Sequence, residues 1–174
     1  ILDIAFWPIA MDPKVEDLEE LDRIDVAIFQ GSIRTERQKD LVKYVAKRAK
    51  IKIAFGSCAC YGGIPSLADL YRVREILEVV YRKTPSSHKE NPIPAINGDS
   101  YGLPRLTDLN FRVDEIVDVD LYIPGCPPPT RLIEKAVETL KDYVLHGKPI
   151  PKGHILASTK TLCDECEREK PDVI

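Results

Sequence analysis

No run in this chain approaches the roughly 20 apolar residues that a membrane span needs, so no transmembrane segment is expected. A basic excess is also lacking. The 25 Lys and Arg residues are outnumbered by 28 Asp and Glu, for a net charge of -3. That balance leaves no electrostatic footprint for nucleic acid. Histidine is scarce, and the three present (His88, His146 and His154) sit in polar segments that read as solvated surface. G-x-S-x-G, P-loop and G-x-G-x-x-G motifs are absent, as is any carboxylate pair with a partner base. The common hydrolase and nucleotide signatures are therefore excluded. The N-terminus has no positively charged leader, and the cysteine count is odd, at five. Both features argue against a disulfide framework and for a reducing, cytoplasmic setting with thiols kept for metal. The chain also lacks a starting Met, and Ile1 opens partway into an apparent strand, so a processed or partial chain is expected.

What is present is an alternation of strand and helix signals in 174 residues, enough for one domain with a core. Leu2 to Ile9 reads as a strand cut short by Pro8. Met11 to Asp22 reads as an acidic connection with a helical turn. Ile24 to Phe29 is a strand, and Gly31-Ser32 a turn. Thr35 opens a helix, with Gln38 at capping-box spacing. Leu41, Val42, Val45 and Ala49 form its inward stripe, and Ile51 to Phe55 is the next strand. Strand, helix, strand in this order is a parallel βαβ unit with a right-handed crossover. A second helix is expected over Leu70 to Tyr81, with Val73, Ile76, Leu77 and Val80 inward. Thr84 to Asn110 reads as an irregular stretch, functional or covered by a partner. Val117 to Ile123 is a strand interrupted by Asp118 and Asp120. Thr130 to Leu145 is a helix closed by Gly147.

Two loops carry the chemistry: Phe55-Gly56-Ser57-Cys58-Ala59-Cys60-Tyr61-Gly62-Gly63 and Ile123-Pro124-Gly125-Cys126-Pro127-Pro128-Pro129. Each follows a strand, at the carboxyl edge where open α/β sheets bind ligands. Thiolates are the ligands of iron–sulfur clusters, commonly four to a cubane. Gly56 and Gly125 let backbone approach inorganic sulfur closely, and the prolines stiffen the second loop. A lone Cys after a strand is more often a small buried hydrophobe. That alternative is weakest for Cys126 and for the two loops taken together, and is favoured for Cys60. Cys163 and Cys166 form a C-x-x-C pair in a polar tail. That spacing suits zinc, an iron–sulfur cluster or thiol redox chemistry. No second pair completes a zinc site, and His154 is the nearest further candidate. The pair reads as half of a site.

The segment Ala54 to Pro65 resembles the G-x-C-A-x-x-G-G motif of [NiFe]-hydrogenase small subunits. Ile123 to Pro128 resembles their G-C-P-P motif. Leu162-Cys163-Asp164-Glu165-Cys166-Glu167-Arg168 is similar to the start of the C-terminal cluster region in the cytoplasmic, archaeal-type branch. That branch includes the F420-reducing and the F420-non-reducing (methyl-viologen-reducing) hydrogenases. Phe6-Trp7-Pro8-Ile9-Ala10-Met11-Asp12 resembles the non-reducing type.

The resemblance implies a flavodoxin-like three-layer α/β domain with a parallel sheet over residues 1–150. Residues 151–174 would be a polar extension that begins a second cluster region. Cys58 and Cys126 would be two ligands of the proximal 4Fe-4S cluster, supported by Gly56 and Gly125. Cys163 and Cys166 would begin the next 4Fe-4S cluster. The implied partners are the hydrogenase large subunit, which holds the Ni–Fe site, and a further electron-accepting iron–sulfur or flavin subunit. The family's N-terminal C-x-x-C and its remaining C-terminal cysteines are not found in this chain. A chain lacking its N- and C-terminal segments is the preferred explanation. The quinone-side 4Fe-4S subunit of a complex I-like NADH:quinone oxidoreductase shares both loops and is the alternative. A cluster-free flavodoxin-like scaffold, with a phosphate cupped at Ser32-Ile33-Arg34-Thr35, is a further one.

Overall fold

A computed structural model describes residues 3–11, 14–18, 20–90, 93, 102–158 and 160–168. Its centre is a parallel sheet. β1 (Ile24–Gln30) leads through a short strand β2 (Ile33–Thr35) into helix α1 (Glu36–Arg48), which returns the chain to β3 (Ala49–Phe55). β5 (Leu121–Ile123) and β6 (His154–Ile155) complete the order β1-β3-β5-β6 among the described residues, with every neighbouring pair parallel. The expected βαβ unit is present. α1 starts as its sequence says: the Thr35 hydroxyl accepts from the Gln38 N–H, and the Gln38 side chain accepts from the Thr35 N–H.

Alternation along the strands makes two cores. Ile51, Ile53, Leu121 and Ile123 point to one face and pack with Ala136 of α4 (Thr130–His146) and with Leu156. Ala54 points to the other face with Ala59, Cys60, Val113 and Val119, flanked by Val42 of α1. Helices thus cover both faces, and the architecture is a three-layer α/β domain. α4 ends where Gly147 turns left-handed at φ 65° and its N–H bonds back to the Tyr143 carbonyl.

Several local expectations are corrected. The described part of the Leu2 to Ile9 segment is not a strand. A turn closes on the Trp7 carbonyl, which accepts from Ala10 and Met11 at 3.1 and 2.9 Å. The outer edge of β1 has no partner among the described residues, so this segment finds no ladder there. The second helix begins later than expected. A 3-10 turn spans Ile64–Leu70, α3 spans Val73–Glu78, and a π-turn continues over Val79–Lys83. The wider π-turn slips the helical register, which is why Val73 is buried while Val80 is exposed.

The stretch Thr84 to Asn110 reaches into a strand, β4 (Leu106–Phe111), antiparallel to β2. The strand expected from Val117 begins only at Leu121. The 3-10 turn Val113–Glu115 holds the Val117 N–H on the Val113 carbonyl at 3.0 Å, and further on the buried Asp120 carboxylate accepts the Lys52 N–H at 2.8 Å and pairs with Lys52 Nζ at 3.3 Å. The Asp120 N–H already donates to the Lys52 carbonyl at 2.9 Å, and the Asp120 carbonyl accepts the His154 N–H at 3.0 Å, so Asp120 stands at the head of the ladder.

Candidate metal centre

The two cysteine loops are locked together through backbone. β3 ends at Phe55, and α2 (Ser57–Tyr61) starts at once. The Gly56 N–H donates to the Ile123 carbonyl, and the Ser57 N–H donates to the Gly125 carbonyl, both at 2.8 Å. Cys58 therefore sits in the first turn of α2, against the loop that carries Cys126. Cys58 is half-buried and Cys126 exposed.

Two glycines make the close approach possible. Gly125 has φ 136°, and a Cβ there would lie 2.5 Å from the Pro128 Cα and 2.8 Å from the Pro127 carbonyl oxygen. Gly63 has φ 56°, and a Cβ there would lie 3.1 Å from Cys58 Sγ. Each is a position where only glycine fits without movement. The turn after α2 thus closes directly over the Cys58 sulfur.

Cys60 is taken out of the site. The chain is helical here rather than extended, so Cys60 turns into the core, 2% exposed. Its thiol donates to the Ala54 carbonyl at 3.4 Å. Burial pushes its pKa up to about 11, with a smaller contribution from Asp114. A thiol held protonated is a poor metal ligand. Behind it, the Tyr122 hydroxyl donates to Asp114 Oδ2 at 3.0 Å, and Asp114 pairs with Arg112 Nε at 2.6 Å. Burial first, then the Asp114 hydrogen bond and charge, push the Tyr122 phenol up to about 12. This network was not visible in the sequence, because its members are joined only by the fold. Tyr61 is exposed.

The phosphate cup considered at Ser32 to Thr35 is not available. Arg34 is held by Asp69, and the Arg34 and Thr35 N–H groups both donate to Gln38 Oε1. The Glu36 N–H donates to the Arg105 carbonyl. The backbone donors of Arg34, Thr35 and Glu36 are thus already used.

Cys163 lies in α5 (Leu162–Glu165) and Cys166 just beyond it, both exposed. Among the described residues no three His, Cys, Asp or Glu side chains converge on one point. His154 is exposed on β6 and adds no ligand to either pair. The thiol chemistry and glycine-lined backbone of the Cys58–Cys126 loops fit one half of a cubane's ligand set. No helix among the described residues is long and apolar enough to cross a membrane.

A chain with this sheet, and with paired cysteine loops at its carboxyl edge, falls within a known class of oxidoreductase subunits. Residues 1–140 match the family described as NADH ubiquinone oxidoreductase, 20 Kd subunit, and the chain belongs to that family. Within it, the similarity is to hydrogenase subunits of the archaeal branch. The chain is 35% identical over 175 residues to an F420-non-reducing hydrogenase iron-sulfur subunit of Archaeoglobus profundus, covering 96% of this chain and 53% of the relative. It is 38% identical over 172 residues to an F420-non-reducing hydrogenase (vhu) subunit of Methanocaldococcus jannaschii, covering 99% and 53%. The chain thus spans about half the length of these relatives. A crystal structure of an NAD+-reducing [NiFe]-hydrogenase in the H2-reduced state shares the fold. The TM-score is 0.63 at 28% identity, over 74% of this chain and 67% of that one.

Proposed function

We propose that this chain is part of the electron-transfer (small) subunit of a cytoplasmic [NiFe]-hydrogenase. It would relay electrons from H2 oxidation in a partner large subunit to a downstream iron–sulfur or flavin acceptor. The observation that carries the reading is the interlock of the Cys58 and Cys126 loops at one sheet edge through the two 2.8 Å backbone bonds. When bound, a 4Fe-4S cluster accepts and releases one electron at a time. Cys58 and Cys126 would each supply a thiolate, and two further thiolates have to come from elsewhere in the assembled protein. Gly56, Gly63 and Gly125 keep the backbone close, and the Pro127–Pro129 run keeps the second loop stiff, so the ligands hardly move between oxidation states. His154 and Ile155 belong to the sheet and Leu156 to its core, so the second cluster region would begin only beyond Leu156, with Cys163 and Cys166 as its first ligands.

Directly after Cys58, the side chains of Ile64, Leu67, Leu70 and Tyr71 are exposed by 60–77%. Apolar side chains gathered this way on a surface usually meet a protein partner, and the large subunit is the partner this reading supplies. The family match also admits the complex I-like alternative. It stops at residue 140, however, and the C-x-x-C pair lies beyond it.

The test is an EPR experiment on the full-length assembly. Exposure to H2 is expected to produce a reduced-cluster signal that also appears with a chemical reductant. A cluster reduced chemically but never by H2 would sink the hydrogenase reading, and no cluster at all would sink the relay.

A further inference from the structure

Beneath the turn that closes over Cys58 lies a line of polar side chains. Arg34 Nη1 donates to Asp69 Oδ1 at 3.0 Å. The same oxygen accepts the Asn110 N–H at 2.8 Å. Asn110 Nδ2 donates to Ser66 Oγ at 2.9 Å. The Ser66 N–H donates to the Gly63 carbonyl at 3.3 Å. Gly63 in turn abuts Cys58 Sγ, and the Ser66 side chain lies so close to Gly62 that a Cβ there would collide with it. The line therefore runs from the β2–β4 pair, through the 3-10 turn Ile64–Leu70, to the sulfur of a candidate ligand. β4 packs on that 3-10 turn, so the anchor at the far end is part of the fold.

Stability is a weak reason for these groups. The Arg34 and Asp69 side chains are only 20% and 24% exposed. Arg34 Nη2 is buried with no acceptor among the described residues. A largely desolvated ion pair with a donor left over contributes little net stability. What the pair does supply is geometry: one carboxylate oxygen, held by Arg34, fixes the register of Asn110 and through it Ser66.

We infer that the Arg34–Asp69–Asn110–Ser66 line is a positioning device for Cys58. It presses the Gly62–Gly63 turn onto the sulfur, and so sets the exposure and direction of that thiol. None of these four residues would touch the cluster. They act through the turn. The inference deepens the cluster reading of Cys58 and rests on it for its functional meaning, but the geometry is testable without metal.

The test uses the full-length protein, first metal-free and then reconstituted with iron and sulfide. Alkylation by iodoacetamide is followed separately at Cys58 and Cys126 by peptide mass spectrometry. Ser66→Ala and Asp69→Asn are expected to speed Cys58 alkylation roughly fivefold, the value of one lost hydrogen bond, and to leave Cys126 unchanged. Thr139→Ala, which removes a hydroxyl bonded to the Lys135 carbonyl on α4, is expected to change neither rate. After reconstitution, the two line variants are expected to alter the EPR line shape and to lose iron faster to a chelator. An unchanged Cys58 rate in both variants would overturn the inference. So would equal acceleration at Cys58 and Cys126, the sign of general loosening. A wild-type protein that takes up no iron would instead overturn the cluster reading, leaving the alkylation result to decide the positioning role.

Discussion

The Cys58 loop and the Cys163–Cys166 segment hold their thiols in opposite ways. Cys58 is fixed from two sides: by the distant loop after β5 and by the Gly62–Gly63 turn that closes its own helix. The C-terminal pair stands on a four-residue helix started by local bonds. Thr161 Oγ1 accepts the Asp164 N–H, and Asp164 Oδ2 accepts the Thr161 N–H at 2.7 Å. Under the proposed function, the first site would be preorganised before any metal arrives, as suits little geometric change on electron transfer. The second pair is exposed, and as a cluster site it would leave its completion to whatever supplies further ligands. Preorganisation here comes from backbone and glycine, and the cysteines themselves contribute little to it.

The largest effect is expected at Gly125. Gly125→Ala places a methyl group against Pro128 and Pro127, both rigid, at a positive φ. The cost of such strain is about 1–3 kcal/mol, with the clash in addition. Denaturation of the full-length protein should show that loss, together with faster exchange of the Ser57 amide that Gly125 holds. Unchanged exchange at Ser57 would mean that the two loops are not locked in solution.

An intermediate effect is expected on the alkaline side. The Tyr122 phenol is raised from 10.0 to about 12 in the fold, so the unfolded chain ionises first. Its contribution is fully present below pH 10 and is lost as the pH climbs from about 10 to about 12. Tyr122→Phe should flatten that part of the stability-against-pH curve. A curve of unchanged slope would show that the phenol is neither buried nor held by Asp114 in solution.

The smallest effect belongs to the C-terminal segment. Thr161→Ala removes the cap of α5 and should speed exchange of the Asp164 amide roughly fivefold, with no change in the global denaturation midpoint. The Asp164 carboxyl is held below its ordinary value by the Thr161 hydroxyl and backbone hydrogen bonds. The cap is therefore present above that ordinary value and weakens as pH falls through the lowered one. A drop in the global midpoint would erase the contrast between the two thiol pairs.

The parts of this molecule legible in its sequence are those set by near neighbours. The Thr35–Gln38 capping box is a three-residue pattern, and the α4 stop at Gly147 is one glycine in the right place. The two cysteine loops were legible because glycine and proline flank each thiol at a strand end. β4 was hidden because Leu106-Thr107-Asp108-Leu109-Asn110-Phe111 follows a segment rich in Pro and Gly and, among the described residues, pairs only with the short β2. β6 is two residues long and is a strand only because β5 offers it a ladder. Asp120 looked like an interruption, and its role depends on Lys52, far away in sequence. The Arg34–Asp69–Asn110 line likewise exists only once β2, β4 and the 3-10 turn have met. The exposure of Val80 has a local cause that periodicity hides: a π-turn shifts a face that an α-helical period would have buried.

The central claim is that Cys58 and Cys126 hold a cluster and Cys60 does not. Iron per protein chain, measured in the full-length assembly for Cys58→Ser, Cys126→Ser and Cys60→Ala, tests it most directly. Loss of one cluster's iron and of its EPR signal in the first two variants, with both retained in Cys60→Ala, is the predicted result. Full iron in Cys58→Ser or Cys126→Ser, or its loss in a folded Cys60→Ala, would contradict the account.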